Sequence, residues 1–295
     1  MIKTLVVEKQ MTNDEIKSLI GTRIEKGYFK TILSEDADVY TSDGKMLMKF
    51  RKNVLNKETI DTAYDSVIKF ARKVTTTRGV ASGDPTKPKI TGKNAKVMSN
   101  IMGYFDTTSV RQKWILNKAG MPIPKCRETS FTGKYPEKWK NCIPLVEEID
   151  NQYKLLCPNE HLKQHRETSK TKYQIGNTAF TTISTNLNFQ TAIHTDKGDY
   201  NEGFGNVIVI ERGTYTGGYT GFPQYGIGVD VRQGDFLAMD VHEFHANEPI
   251  EGEDFDRLSI VSYMREGIVK NCVGEEIVGE DYFRKASKIV SDAKN

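Results

Sequence analysis

The chain has 295 residues, 37% of them hydrophobic, and a net charge of +3. That is enough for one large folded domain, and no run approaches the roughly eighteen consecutive apolar residues of a membrane span. The segment Met1 to Glu8 has too short an apolar run, and is charged too early, for a secretory signal, so a monomer without membrane attachment in the cytoplasm or nucleus is expected.

Residues 2 to 7 read as a short strand. Thr12-Asn13-Asp14-Glu15 opens a helix with a capping-box pattern, with Ile16, Leu19, Ile20 and Ile24 on one face. Val39-Tyr40, Ser42-Asp43-Gly44-Lys45 and Met46 to Phe50 form a hairpin on an Asp-Gly turn. Lys57 to Val74 is a second helix, striped by Ile60, Tyr64, Val67, Ile68 and Ala71.

Thr75 to Lys93 is a loop punctuated by Gly79, Gly83, Pro85, Pro88 and Gly92, and it lacks the G-K-S/T ending of a phosphate-binding loop. A helical piece is expected over Asn94 to Met102 and another over Arg111 to Lys118. Pro122, Pro124, Pro136 and Pro144 mark a passage expected to be largely irregular. Ile143 to Leu156 reads as a helix that Pro158 ends or kinks. His161 and His165 follow as an i, i+4 pair with no adjacent zinc-protease glutamate, and are expected to be a solvated helical pair.

From Tyr173 the period changes to two. Phe180 to Phe189, Val207 to Ile210, Ile227 to Val231, Phe236 to Met239 and Leu258 to Tyr263 read as strands, with glycine-rich turns at Gly217-Gly218 and Gly234-Asp235. Short strands separated by turn signals describe a barrel or sandwich. The four cysteines, Cys126, Cys142, Cys157 and Cys272, form no C-x-x-C pair, so reduced thiols are expected rather than a structural zinc or a disulfide.

From Lys69 to Lys140 there are sixteen Lys and Arg against four acids, a local +12 that leaves −9 for the rest of the chain. Trp114, Trp139, Tyr104, Phe105, Phe131 and Tyr135 lie in the same segment. Basic residues interleaved with aromatics suit a surface that tracks phosphates and stacks on bases; a solvated lysine-rich face whose aromatics are core fits equally well.

Phe189 to Arg265 holds three of the five histidines. His194-Thr195-Asp196 is an H-x-D, His245 follows, and Arg257 comes twelve residues later. Two imidazoles and a carboxylate are the donor set of a facial iron site. H-x-D alone is weak evidence, but here the order of motifs is H-x-D, G-G-x-x-x-F-P, G-D-x-x-x-x-D, His, then R-x-S-x-V-x-Y. As an ordered set this resembles the double-stranded β-helix of iron(II)- and 2-oxoglutarate-dependent dioxygenases over about residues 180 to 268. The fit is closest to the TET and J-binding-protein hydroxylases of DNA pyrimidines, including small viral and phage members. It rests on Thr191 to Asp199 (T-A-x-H-x-D-x-G-D), Gly203-Phe204-Gly205, His245-Ala246-Asn247-Glu248-Pro249 and Arg257 to Tyr263. Gly103-Tyr104-Phe105-Asp106 extends the match to about Arg78.

The resemblance implies an α+β fold with a jelly-roll, cupin-like core and flanking helices. The expected organisation is an N-terminal support region over residues 1–75 and a basic, loop-rich DNA-binding segment over 76–142. The oxygenase core is expected over 143–270 and a C-terminal tail over 271–295. It makes His194, Asp196 and His245 ligands of Fe(2+), and Arg257 the partner of the distal carboxylate of 2-oxoglutarate, with O2 as oxidant. His245 is preferred over His242 because a small residue and a downstream proline follow it. Asp199, Tyr263, Arg265 and Arg78 are expected at a pyrimidine flipped out of DNA. Asp199 as an ionised acceptor favours 5-methylcytosine over thymine. Arg265 stands where the family carries a base-contacting histidine, and arginine cannot accept a hydrogen bond, which puts cytosine specificity in doubt. Alternatives are an oxygenase acting on a free nucleotide, a small molecule or a protein side chain, and a non-enzymatic DNA-binding barrel.

Overall fold

The computed structural model describes residues 2–76, 78–83 and 96–293. The N-terminal part runs β1 (Lys3–Val7), α1 (Asn13–Ser18), β2 (Thr31–Leu33), β3 (Ala37–Thr41), β4 (Met46–Arg51) and α2 (Lys57–Ala71). The Thr12/Glu15 capping box is formed, yet α1 stops after six residues. Gly21, at φ +81°, turns the chain and donates its N–H to Ile193 O at 2.8 Å, while Ile193 N donates to Thr22 O at 2.9 Å. Of the expected stripe only Ile16 therefore lies inside the helix. The N-terminal segment instead braces the chain just before His194.

Two expectations fail in the middle of the chain. Met98–Phe105, which includes most of the expected helix Asn94 to Met102, is strand β5. It pairs with the later strand β7 (Thr182–Leu187) from Met98 opposite Leu187 to Gly103 opposite Thr182, and sheet pairing overrides local propensity there. Asn94 itself, and Pro85, Pro88, Gly92 and Lys93 of the expected loop, lie outside the described residues. The proline-marked passage is also largely helical. The helix expected over Arg111 to Lys118 is α3 (Val110–Lys118), and the passage beyond it runs through β6 (Arg127–Glu128) and α4 (Ser130–Lys134) into α5 (Pro136–Leu156). Pro136 opens α5 at a position whose N–H needs no intrahelical partner, and Pro144 is carried inside.

Pro158 begins α6 (Pro158–Thr168). His161 on α6 is buried, with Nε2 3.1 Å from Asp150 Oδ1, so it is not solvated as expected; a buried imidazole needs a partner, and Asp150 of α5 supplies it. The cysteine expectation is corrected as well. Cys126 and Cys272 form a disulfide across a separation of 146 residues, while Cys142 and Cys157 are buried free thiols.

The remaining elements are β8 (Gly205–Gly217), β9 (Thr220–Phe222), β10 (Ile227–Val229), β11 (Phe236–Met239), β12 (Ala246–Asn247), β13 (Ile250–Tyr263), α7 (Glu266–Asn271) and α8 (Glu280–Asp292). They build a nine-stranded sheet in the order β1-β3-β4-β11-β8-β13-β7-β5-β6 and a four-stranded sheet in the order β12-β9-β10-β2. The period of two sorts β8 onto both faces of the large sheet. Ile208 and Ile210 join Ile60, Val67, Ile149 and Tyr153 in a core under α2 and α5. Val207 and Val209 join Phe222, Ile227 and Val229 of the small sheet. Fully burying each such side chain contributes about 1.5–3 kcal/mol, so both faces of β8 are locked and its register with β13 is set. These two sheets are the walls of a double-stranded β-helix.

Candidate metal centre

His194 leaves the segment braced by Gly21 and Thr22, and Thr191 at its start donates both N and Oγ1 to Asn247 Oδ1, at 2.8 and 2.6 Å. His194 and His245 then exchange backbone hydrogen bonds, at 3.1 Å from His194 N and 2.9 Å from His245 N. That reciprocal pair brings the two imidazoles to a ring separation of 4.3 Å. Each Nδ1 faces a backbone carbonyl, Ala192 O at 2.7 Å and Glu243 O at 3.0 Å. A carbonyl only accepts, so each Nδ1 carries the proton and each Nε2 presents a lone pair.

Those lone pairs converge on one carboxylate. His194 Nε2 lies 3.5 Å from Asp196 Oδ1 and His245 Nε2 3.6 Å from Asp196 Oδ2, and the three ligand atoms all fall within 4.8 Å of one another. Burial first, and the neighbouring His194 second, push His245 down to about 4, which keeps it neutral. Burial opposes the charge on Asp196, but its contact with His194 first, and with His245 second, holds its carboxyl well below the usual range. Two imidazole nitrogens and one carboxylate are a donor set that fits a divalent metal of the iron class. His242 is not in the cluster. Its Nδ1 lies 3.1 Å from Asp240 Oδ1.

His194, Asp196 and His245 line a cavity of about 230 Å³. Along β13, Arg257, Ser259, Val261 and Tyr263 alternate onto its wall, so Arg257 and Tyr263 mark ends about 20 Å apart at the rise of a strand. A bulge between Glu253 and Asp256 precedes Arg257 and aims it inward. Arg257 is 4% exposed. Its Nη2 donates to Gly218 O at 2.9 Å, and its Nε is buried with no partner among the described residues. A Cβ on Gly218 would sit 2.8 Å from that Nε, so the glycine keeps the guanidinium's approach open. A buried fork with unspent donors is a seat for a carboxylate.

At the other end are Arg78, Ser184, Asp199, Tyr263 and Arg265. Arg78 donates Nε to Ser99 Oγ and Nη2 to Asn186 Oδ1, and Tyr263 OH is 3.1 Å from Ser184 Oγ. The structure thus brings His194, Asp196, His245 and Arg257 of the sequence reading to one cavity. That reading missed Asn247, which sits inside the quoted His245 motif, as well as Ser184 and Asn186, which carry no signal beyond their place on β7. In the basic segment Phe131 is buried, Tyr104 and Trp139 are half-buried against core, and Trp114 is 52% exposed, with Lys118 Nζ 5.3 Å from its ring centroid.

A double-stranded β-helix that gathers two histidines and a carboxylate at one end of a cavity, with a buried arginine on its last long strand, has the architecture of a 2-oxoglutarate- and iron-dependent oxygenase. Residues 113–266 match the Tet/JBP family model, described as the oxygenase domain of the 2OGFeDO superfamily, and the chain belongs to that family. It is 32% identical over 195 residues to thymine dioxygenase JBP1 of Trypanosoma brucei brucei, covering 64% of this chain and 21% of that protein. It is 27% identical over 273 residues to the bifunctional helicase and thymine dioxygenase JBP2 of Trypanosoma cruzi (strain CL Brener), covering 90% of this chain and 23% of that protein. The chain therefore spans about a fifth of the length of these relatives. Among solved structures, NgTET1 in complex with 5mC DNA shares the fold at a TM-score of 0.57 and 15% identity, covering 94% of this chain and 99% of that one.

Proposed function

We propose that this chain is an iron(II)- and 2-oxoglutarate-dependent dioxygenase that hydroxylates the 5-methyl group of a pyrimidine in DNA. The observation that carries the reading is the convergence of His194, Asp196 and His245 on the cavity that also receives Arg257. His194, Asp196 and His245 would hold the metal, and Arg257 the distal carboxylate of 2-oxoglutarate. Bound together, these groups and dioxygen supply oxidative decarboxylation to succinate and carbon dioxide, coupled to hydroxylation of an unactivated C–H bond.

The protein's part is orientation and exclusion of water. Asn247 fixes the approach to His194 through Thr191, and the two Nδ1 hydrogen bonds hold both rings in the lone-pair-inward tautomer. Tyr263 offers a ring face, and Arg78 and Asp199 polar edges, at the substrate end. A methyl group stacked in duplex DNA cannot reach a cavity of this kind, so the base is flipped into it at a cost of a few kcal/mol. Trp114 and the described lysines and arginines of the segment 69–140 are the surface proposed to hold the distorted strand. Such a substrate implies action inside a cell, and a monomer is the state proposed; among the described residues no helix is long and apolar enough to cross a membrane.

Thymine is the base proposed first. The named activity of the JBP relatives supports it. The case for cytosine needed Asp199 as an ionised acceptor, and burial first, then the charge of Asp196, push its carboxyl well above the usual range. 5-Methylcytosine is the second reading, supported by the acceptor that Asp199 retains in either state. The test is nucleoside mass spectrometry after incubating the protein with iron(II), 2-oxoglutarate, ascorbate and duplexes with and without 5-methylcytosine. 5-Hydroxymethyluracil that disappears in His194→Ala supports thymine, and 5-hydroxymethylcytosine moves the assignment. Succinate without either product keeps the oxygenase and sinks the DNA substrate.

A further inference from the structure

Arg265 was expected to touch the base, but its guanidinium is already engaged. Nε and Nη2 lie 3.2 Å from Asp106 Oδ1 and Oδ2, a two-pronged ion pair. Nη1 donates to Lys197 O at 3.0 Å and lies 3.5 Å from Asp199 Oδ1. The Phe105 ring centroid is 5.0 Å from the guanidinium carbon. The backbone joins the same segments, with Glu266 N donating to Gly198 O and Tyr200 N to Met264 O, both at 3.0 Å.

Two glycines enclose this pair. A Cβ on Gly198, at φ +91°, would lie 2.8 Å from both Nη atoms, and a Cβ on Gly267 would lie 2.1 Å from Asp106 Oδ2. At Gly267 the requirement is space alone. The metal-cluster residues are tethered separately, Asp196 N to Val241 O at 3.0 Å and His194 to His245 through their backbones. Lys197 and Asp199, by contrast, line the cavity with Tyr263, and the Arg265 guanidinium ties them to Asp106, the residue that follows β5.

We propose that Asp106 and Arg265 are positioning residues, a latch from β5 to the Lys197–Asp199 turn that sets Asp199 for base capture while leaving the metal cluster to its own tethers. This rests on the pyrimidine hydroxylase reading. A forked, largely buried ion pair has the directionality to fix a turn to within fractions of an ångström, and misplacing a substrate-facing group by about 1 Å costs on the order of a hundredfold in rate.

The test uses Asp106→Asn, Arg265→Lys and Gly267→Ala, the last displacing Asp106 while leaving both charges in place. For each, the thermal midpoint and the visible absorption of the anaerobic protein loaded with iron(II) and 2-oxoglutarate are recorded. Hydroxymethyl pyrimidine formed per succinate is then measured on DNA. The latch predicts near wild-type absorption and midpoint in at least two variants, with product per succinate down by on the order of ten- to hundredfold and a raised KM for DNA. Unchanged product per succinate in Asp106→Asn and Gly267→Ala overturns it. So does loss of the absorption together with product, which makes the pair a support of the metal cluster instead. A wild-type protein that makes succinate but no hydroxymethyl pyrimidine overturns the hydroxylase reading and the latch with it, whereas wild-type product with unaltered variants overturns the latch alone.

Discussion

Replacing Arg257 by methionine separates two roles that a buried arginine can have. In the metal-free protein the side chain contributes one visible charge-assisted hydrogen bond, Nη2 to Gly218 O, worth about 1.5–3 kcal/mol. Against that, burial works on its charge and lowers its proton affinity, and its Nε is unspent among the described residues. Methionine of similar length removes both the bond and the desolvation penalty, so the net change in stability should stay within about 2 kcal/mol in either direction. For a domain of this size that moves the thermal midpoint by roughly 4 °C or less. The effect on 2-oxoglutarate is of another order, because its distal carboxylate would then be buried without a partner, at about 3–5 kcal/mol. At 1.4 kcal/mol per decade this is a loss of affinity of roughly a hundred- to several-thousandfold. Isothermal titration of 2-oxoglutarate into protein loaded with manganese(II) measures it, beside a melting curve. A folded Arg257→Met protein whose affinity for 2-oxoglutarate falls less than about threefold, against the decades expected, refutes the assignment.

His245 makes stability of the metal-free protein depend on pH. Its folded value of about 4 lies below the ordinary 6.5, so the unfolded chain binds the extra proton first and stability is lost as pH falls from about 6.5 towards about 4, by about 3 kcal/mol in full. His242 acts in the opposite sense, since the Asp240 hydrogen bond raises it; its contribution is present below 6.5 and fades above. Urea midpoints at several pH values should therefore fall less steeply in His245→Gln than in wild type, and parallel curves would count against a buried neutral imidazole. Reducing the Cys126–Cys272 bridge opens a loop of 146 residues and should cost about 2–4 kcal/mol. Urea unfolding with and without reductant reads this, and an oxidised sample whose intact mass shows four free thiols removes the basis of the expectation. In a Trp139→Phe background, duplex DNA should quench Trp114 fluorescence, and Trp114→Ala should weaken binding by about 1–3 kcal/mol. Hydroxylation of DNA with neither effect would place the strand elsewhere.

What could be read along the chain is what local pattern encodes. The Thr12/Glu15 capping box, the Asp43-Gly44 hairpin and the buried apolar run Val207 to Ile210 are each complete within a few residues, and each is found in the fold. His194, Asp196, His245 and Arg257 stood out for a related reason: their types and order make a donor set and a carboxylate partner, and β13 carries Arg257 while the backbone bridge between His194 and His245 carries the cluster to one cavity. The misses are all questions of what lies across space. Met98–Phe105 is a strand because β7 offers it a ladder. Prolines 136 and 144 are accommodated because α5 has β-sheet and α2 to pack against. Cys126 meets Cys272 only once 146 residues have folded between them, and His161 is buried because Asp150 is there to receive it. Arg265 is the sharpest case. Its identity was plain in the sequence, but whether a guanidinium faces a base or grips Asp106 depends on which carboxylate the tertiary structure puts within 3.2 Å of it, and no local pattern carries that distance.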